Sequence, residues 1–133
     1  MTTNPPGGAD PGAGLEDGDP SKPVGLDSEE ELNAFLADHD VALVEFYTEG
    51  CTICQSVEPV LGTVAKGAEI AIATINPRND ADLIEDYQIK SVPTLVLFLD
   101  GEPVDRLAEG FVGVDRVLEF IATHAPDRVP ENQ

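Results

Sequence analysis

The stretch VALVEFYTEGCTIC (residues 41–54) joins an apolar run to the only two cysteines of the chain. Residues 41–47 are apolar on both faces apart from Glu45, as in a central strand that is covered on both sides. A helix-like segment begins at Cys51 and contains Cys54. The stretch therefore predicts a strand that passes into a helix, with a CxxC pair at the junction.

The position of the CxxC pair favours redox chemistry. At the start of a helix, exposed backbone N–H groups and the positive end of the helix dipole favour thiolate over thiol for the first cysteine. The chain has no third cysteine from which to build a disulfide scaffold. A tetrahedral zinc site needs four ligands, and the two histidines, His39 and His124, are predicted at the ends of other helices. We therefore predict a redox pair and no metal.

The rest of the chain alternates helices and strands. A helix capped by Asp27 or Ser28 precedes the central strand, and the later segments are helix 51–66, strand 69–75, helix 79–87, strand 94–99, strand 104–108 and helix 114–123. The first half reads as a βαβ unit with a right-handed parallel crossover. Asp100-Gly101 is a hairpin signal, and Pro103 indicates an edge strand after it. We predict an α/β fold with a mixed central sheet and helices on both faces.

Three segments differ in composition. Residues 1–22 are rich in Gly, Pro and Asp and predict a disordered leader, followed by one domain over 23–126 and a tail over 127–133. We find no secretory signal and no apolar run long enough to span a membrane. A lone CxxC without structural disulfides suits a reducing compartment, so we expect a cytoplasmic protein without a membrane partner.

The formal net charge of −19 is spread along the chain. Residues 1–22 contribute −3, so −16 belongs to the remainder. Such self-repulsion destabilises a compact state unless salt screens it, and the Debye length is only about 3 Å near 1 M salt. We favour adaptation to a salt-rich cytoplasm, as in halophilic archaea, over an ordinary acidic surface. A nucleic-acid partner is not expected for this surface.

Several landmarks occur in one order: Glu45-Phe46-Tyr47 before the CxxC, Pro59 eight positions after the first cysteine, Ser91-Val92-Pro93-Thr94 at the third strand, and Gly101 in the hairpin. With them, residues 26–125 resemble the thioredoxin family. The resemblance implies the thioredoxin fold, with a central mixed sheet of four to five strands.

The resemblance also implies roles for individual residues. Cys51 matches the exposed nucleophile and Cys54 the resolving cysteine, so that the two form the redox-active disulfide. Pro93 matches a cis-proline that faces the disulfide, and Val92 offers backbone hydrogen bonds to an extended substrate segment. Glu45 falls where the family usually has a buried aspartate.

Other positions depart from the family. Thr52-Ile53 replaces the usual Gly-Pro between the cysteines, so the typical reduction potential is not assumed, and we expect both residues at the substrate surface. Gly50 and Tyr47 stand where tryptophans are usual. Thr74 aligns with a lysine that usually lies near the buried acid.

Glu45 has two alternative interpretations. Near the end of a strand it is either a solvent-facing residue or a buried carboxyl with a raised pKa that accepts the proton of Cys54. Its apolar neighbours favour burial. Glu49 and Glu58, which flank the motif, are most simply solvated charges.

The sequence thus predicts a thioredoxin-like protein-disulfide reductase. The resemblance implies no bound cofactor, electrons from a flavin-dependent thioredoxin reductase, protein disulfides as substrates and a monomer. One alternative is a more oxidising glutaredoxin-like or isomerase-like protein. The other is a thioredoxin-fold binding module with poor turnover.

Overall fold

A five-stranded mixed sheet forms the centre of the molecule in the computed structural model, which describes residues 22–130. The strands are β1 (Val24–Leu26), β2 (Val41–Phe46), β3 (Ala71–Ile75), β4 (Thr94–Leu99) and β5 (Glu102–Leu107). The helices are α1 (Glu29–Ala37), α2 (Thr52–Gly67), α3 (Ala81–Tyr87) and α4 (Val114–His124), with short 3₁₀ turns at Pro77–Asn79 and Pro126–Arg128. The predicted fold class is confirmed.

The strand order is β1-β3-β2-β4-β5. Strands β1, β3 and β2 are parallel, whereas β4 and β5 run antiparallel to their neighbours. Because β2 forms ladders with β3 on one side and β4 on the other, its six residues are all buried. Every second side chain of β2 therefore reaches the same layer of helices.

Two apolar clusters cover the two faces of the sheet. Val41 and Leu43 of β2 pack in one cluster with residues of α2 and α4, among them Val57 and Ile121. The even-numbered residues of β2 pack in the other cluster with α1 and α3. The alternation places Glu45, the next odd-numbered residue of β2, on the face that α2 covers.

The β4–β5 hairpin forms as predicted. Asp100 and Gly101 both have positive φ, 53° and 84°, which matches the right-handed twist of the flanking strands. Strand β5 pairs only with β4, so Pro103 lies on an edge strand. Ser28 also caps α1 as predicted, because its Oγ accepts a hydrogen bond from the N–H of Glu31 at 3.1 Å.

Strand β1 was not among the predicted elements. It has three residues, and Val24 and Gly25 are exposed, so it carries no apolar pattern. Its pairing with β3 in the register Val24↔Ala73 shows that contact with a neighbouring strand, more than local preference, creates it.

The predicted limits of the domain, 23 and 126, stay predictions. Residues 1–21 and 131–133 lie outside the described part of the chain, and with them nearly all of the predicted leader. Beyond residue 126, the guanidinium of Arg128 forms an ion pair with Asp40 and donates to the carbonyl of Glu69 at 3.2 Å. These bonds tie the last 3₁₀ turn to the amino ends of β2 and β3. In the described segment no helix has the length and apolar character needed to cross a membrane.

Acidic side chains outnumber their partners on this surface. Between residues 22 and 130 the ion pairs involve four carboxylates: Asp40, Asp105, Glu109 and Glu119. All four retain at least 45% side-chain exposure, and exposed pairs of this kind add little stability. The remaining carboxylates therefore repel one another through solvent.

We expect the folded state to depend on salt. Raising KCl from low to molar concentration should screen the carboxylate repulsion and increase the melting temperature by several degrees or more. Thermal unfolding followed by circular dichroism across a KCl series checks this. A flat profile would show that the charge has no energetic role in folding.

Candidate redox site

Cys51 caps the amino end of α2. Its Sγ accepts a hydrogen bond from the backbone N–H of Cys54 at 3.1 Å, and its carbonyl accepts the N–H of Gln55 at 3.1 Å. Gly50 immediately before it has φ +83°, a conformation that a residue with a side chain adopts only with strain. Glycine at this position therefore meets a backbone requirement of the turn that precedes α2. A reduced Cys51 sulfur would lie against an N–H donor and the positive helix end, which favour thiolate.

The two cysteines form a disulfide, with their Cα atoms 5.2 Å apart. The two sulfur-bearing residues differ in exposure, because Cys51 is half-buried whereas Cys54 is only 1% exposed. The N-cap position faces solvent, and the fourth residue of the motif lies on the buried face of α2. An incoming sulfur atom therefore has access to Cys51 and not to Cys54.

The segment before β4 lies beside this junction. The Val92–Pro93 peptide bond is cis, as the sequence resemblance implies, and Pro93 is buried while Val92 is half-buried. Thr94 pairs with Phe46, the last residue of β2, and its hydroxyl donates to the carbonyl of Ser91 at 2.7 Å. The register thus places Pro93 and Val92 at the same end of the strands as the CxxC.

Apolar side chains are exposed at this end of the sheet. Thr52 is exposed, and Ile53 between the cysteines is 46% exposed. Phe111, in the loop between β5 and α4, is 57% exposed, and this loop leaves β5 opposite the start of β4. Sequence reasoning did not single out Phe111. Its signal is a lone aromatic residue directly after Gly110 in a short loop that also contains Gly113.

Glu45 is completely buried, so its alternative interpretation as a solvent-facing residue is wrong. Neither carboxyl oxygen has a hydrogen-bond partner among the described residues. Burial raises the pKa of Glu45 to about 8, and the negative charge of Glu58 adds to the increase. At neutral pH this carboxyl is therefore mostly protonated, and it can take up or release a proton near physiological pH.

The neighbours of Glu45 offer it no cation. Across the ladders it lies opposite Thr74 of β3 and Leu95 of β4. Thr74 is the residue that aligns with the family's lysine, so the structure places that position next to the buried acid. The lysine's charge is absent there, which is consistent with the raised pKa of Glu45.

A cavity of about 460 Å³ lies next to this region. Its lining residues are Pro23, Gln55, Glu58, Pro59 and Thr74. Within residues 22–130 no group of three or more His, Cys, Asp or Glu side chains is arranged to hold a metal ion.

Comparison with known proteins gives consistent matches. The family model described as Thioredoxin matches residues 23–123. The thioredoxin of Chlamydia caviae is 33% identical over 99 residues, which cover 74% of this chain and 95% of that protein. The thioredoxin of Mycobacterium bovis is 30% identical over 94 residues, covering 69% of this chain and 80% of that protein.

Solved structures give the same result. A mutant thioredoxin from Halobacterium salinarum NRC-1 superimposes with a TM-score of 0.74 and 34% identity, covering 82% of this chain and 96% of that one. The thioredoxin of Schistosoma mansoni, at 19% identity and a TM-score of 0.70, covers 80% and 99% of the two chains and supports the fold alone. Together with the cysteine pair, these matches support thiol-disulfide exchange at this site.

The buried Glu45 should give folding stability a distinctive pH dependence. Between its unfolded pKa of 4.5 and its folded pKa of about 8, the folded state binds a proton that the unfolded state has lost. Stability should therefore fall as pH rises through this window, by about 1.4 kcal/mol per pH unit from this group.

Denaturant unfolding of oxidised wild type and Glu45→Gln from pH 5 to pH 7.5, in molar KCl, checks this. The variant should show a flatter profile, and Glu30→Gln on the exposed start of α1 serves as the matched control. Parallel profiles for wild type and Glu45→Gln would show that Glu45 is ionised in the folded protein.

Proposed function

Because this chain belongs to the thioredoxin family and is a thiol-disulfide oxidoreductase, we propose that it reduces disulfides of other proteins through Cys51 and Cys54. The observation that carries this proposal is the asymmetry of the pair. Cys51 is accessible and capped by an N–H donor, whereas Cys54 is buried one helical turn behind it. Such a pair can act in order, with the first thiol attacking outward and the second attacking inward.

The first step joins protein and target. The Cys51 thiolate attacks one sulfur of the target disulfide, a Cys51–target S–S bond forms, and the second target sulfur leaves as a thiolate. Cys54 then attacks Cys51 Sγ, which forms the Cys51–Cys54 bond and releases the first target sulfur. Two electrons pass from the dithiol to the target, which ends as a dithiol.

The target segment should lie across the exposed edge around the disulfide. Val92 and Pro93 stand on one side of it, with the Val92 backbone available for hydrogen bonds to an extended peptide. Thr52 and Ile53 lie on the other side, and the exposed side chain of Ile53 offers apolar contact. Recognition would then depend on backbone shape and apolar area more than on one specific side chain.

Glu45 is the proposed proton acceptor for Cys54. It lies on the sheet face that α2 covers, beneath the helix that carries Cys54, and its unpaired carboxyl has no structural partner that explains its presence. In its ionised form it takes the Cys54 proton as that sulfur attacks, and its pKa of about 8 keeps it near the pH at which this transfer is reversible.

The cellular setting is proposed on broader grounds. Family membership supports protein disulfides and a thioredoxin reductase, a flavin enzyme, as partners, with no cofactor bound to this chain. The charge of −19 supports a monomer in a salt-rich cytoplasm, as in halophilic archaea.

A second candidate is a more oxidising, isomerase-like activity, and the Thr52-Ile53 spacer favours it. The spacer separates the two cysteines in sequence and differs from the family's usual Gly-Pro, so the family's reduction potential does not carry over to this chain. Equilibration of the Cys51–Cys54 couple with glutathione buffers separates the two. A couple that glutathione holds mostly reduced at cytosolic ratios has the higher potential of an isomerase-like protein, whereas a couple that stays mostly oxidised there has the lower potential expected of a reductase.

The reductase proposal is tested by trapping. Cys54→Ser should accumulate a mixed disulfide between Cys51 and a disulfide-containing protein such as insulin, because the resolving sulfur is gone. Cys51→Ser should form none and lose insulin reduction. Gel analysis without reductant, with peptide mapping of the linked cysteine, provides the measurement. Adducts of Cys51→Ser through Cys54 would overturn the assigned roles.

The proton-acceptor role of Glu45 has its own kinetic signature. Glu45→Gln keeps size and removes the base, so resolution of a preformed mixed disulfide should slow by about tenfold or more at neutral pH. Its rate should recover at higher pH, where the Cys54 thiol ionises unaided. Stopped-flow single-turnover measurements check this, with Glu30→Gln as the control. An unchanged resolution rate would exclude the role.

A further inference from the structure

Glu58 stands in a position that the exchange reaction alone does not explain. It lies on α2 one turn after Cys54, and it lines the cavity of about 460 Å³ together with Thr74 of β3. The residue is exposed, so its carboxylate remains in contact with water. The cavity therefore brings a hydrated negative charge to the edge of the layer between α2 and the sheet.

One residue that lines this cavity, Thr74, is a neighbour of Glu45. Thr74 is the direct partner of Glu45 in the β2–β3 ladder, and paired residues of parallel strands project from the same face of the sheet. Glu45 carries two carboxyl oxygens without hydrogen-bond partners in the described structure. An unpartnered carboxyl thus lies one residue away from a cavity that an acid lines.

We propose that Glu58 is a positioning residue that sets the pH at which Glu45 exchanges its proton, and that salt adjusts this setting. The proposal rests on the proton-acceptor role given to Glu45 above. Two like charges near one site oppose each other's ionisation, so the Glu58 carboxylate keeps Glu45 in its acid form. Salt screens the charge of Glu58 because that residue is in contact with solvent.

The other groups that face Glu45 do not carry a competing charge. From β3 and β4 the facing residues are Thr74 and Leu95. From α2 the titratable groups are Glu58 and the Cys54 sulfur. Tyr47, at the end of β2, has a pKa raised by burial and by several acids that include Glu45, so it stays neutral near pH 7.

Glu49 offers a matched comparison. Like Glu58 it is an exposed acid close to the CxxC motif, and both charges help to raise the pKa of Tyr47. Of the two, Glu58 adds to the raised pKa of Glu45, and it also lines the cavity beside Thr74. Removal of either charge changes the net charge equally. A difference between the two variants in the titration midpoint of Glu45 therefore reports the location of the removed charge.

The experiment follows the Glu45 carboxyl directly. Full-length oxidised protein labelled with ¹³C-glutamate is titrated by NMR at the lowest KCl concentration that keeps it folded, and the Glu45 signal is assigned by its loss in Glu45→Gln. Glu58→Gln should lower the Glu45 midpoint by about half a pH unit, the order expected when one carboxylate acts on another through water-like surroundings. Glu49→Gln should leave it within about 0.2 unit.

Salt provides the second readout. In molar KCl the difference between wild type and Glu58→Gln should shrink, and Glu58→Lys should lower the midpoint further than Glu58→Gln at low salt. Equal midpoints for Glu58→Gln and Glu49→Gln would overturn the proposal. A midpoint that moves while the pH profile of mixed-disulfide resolution stays fixed supports the coupling and overturns the proton-acceptor role of Glu45, so the two failures are distinguishable.

Discussion

The junction between β2 and α2 is the constraint on which the chemistry of this protein depends. Strand β2 is held by ladders on both sides, so the point at which the chain leaves the sheet is fixed by many hydrogen bonds. Helix α2 begins six residues later and packs back over the sheet through Val57 and Leu61. Between these fixed ends, Cys51 becomes the helix cap and Cys54 turns inward. The difference in exposure between two identical side chains is thus a consequence of helix geometry, and the proposed order of reaction follows from it.

A buried carboxyl near the end of the central strand is the costly part of this arrangement. Burial of an ionised, unpaired carboxylate is unfavourable enough that the group is held neutral, which the pKa of about 8 reflects. An apolar residue at position 45 would fill the same layer without that cost. The presence of Glu45 is therefore not explained by folding, and the proposed proton exchange with the Cys54 sulfur would give it a chemical reason.

The sequence predicted the parts of the fold that have a strong local pattern. Residues 41–46 form a doubly covered strand because their apolar run is uninterrupted except at Glu45. Asp100-Gly101 forms a hairpin because both residues adopt positive φ. Strand β1 escaped prediction, since its three residues depend on the edge of β3 for their conformation. Helix and strand limits otherwise differ by about two residues, as is usual where helix ends fray.

The residues of the candidate site also differ in how well the sequence predicts them. Spacing and order along the chain, together with the family resemblance, were sufficient to predict Cys51, Cys54, Pro93 and Glu45 as site residues. Glu58 and Thr74 lack such a motif, and their relation to Glu45 exists only through strand register and the packing of α2. The exposure of Phe111 likewise depends on the course of a loop, which carries no periodic pattern.

The salt dependence of the fold and the raised pKa of Glu45 involve the same type of interaction, which is repulsion between carboxylates. In a strongly negative chain, each solvent-facing carboxylate raises the cost of ionising its neighbours, and salt reduces that cost. At most positions the effect is spread over the surface and changes only stability. At the cavity beside Thr74 it meets a buried acid that lies beneath the redox pair, without a lysine to oppose it. There the repulsion among surface carboxylates acts on the proton of Glu45, which the proposed reaction uses. Salt concentrations that stabilise the fold would therefore also favour the ionisation of Glu45.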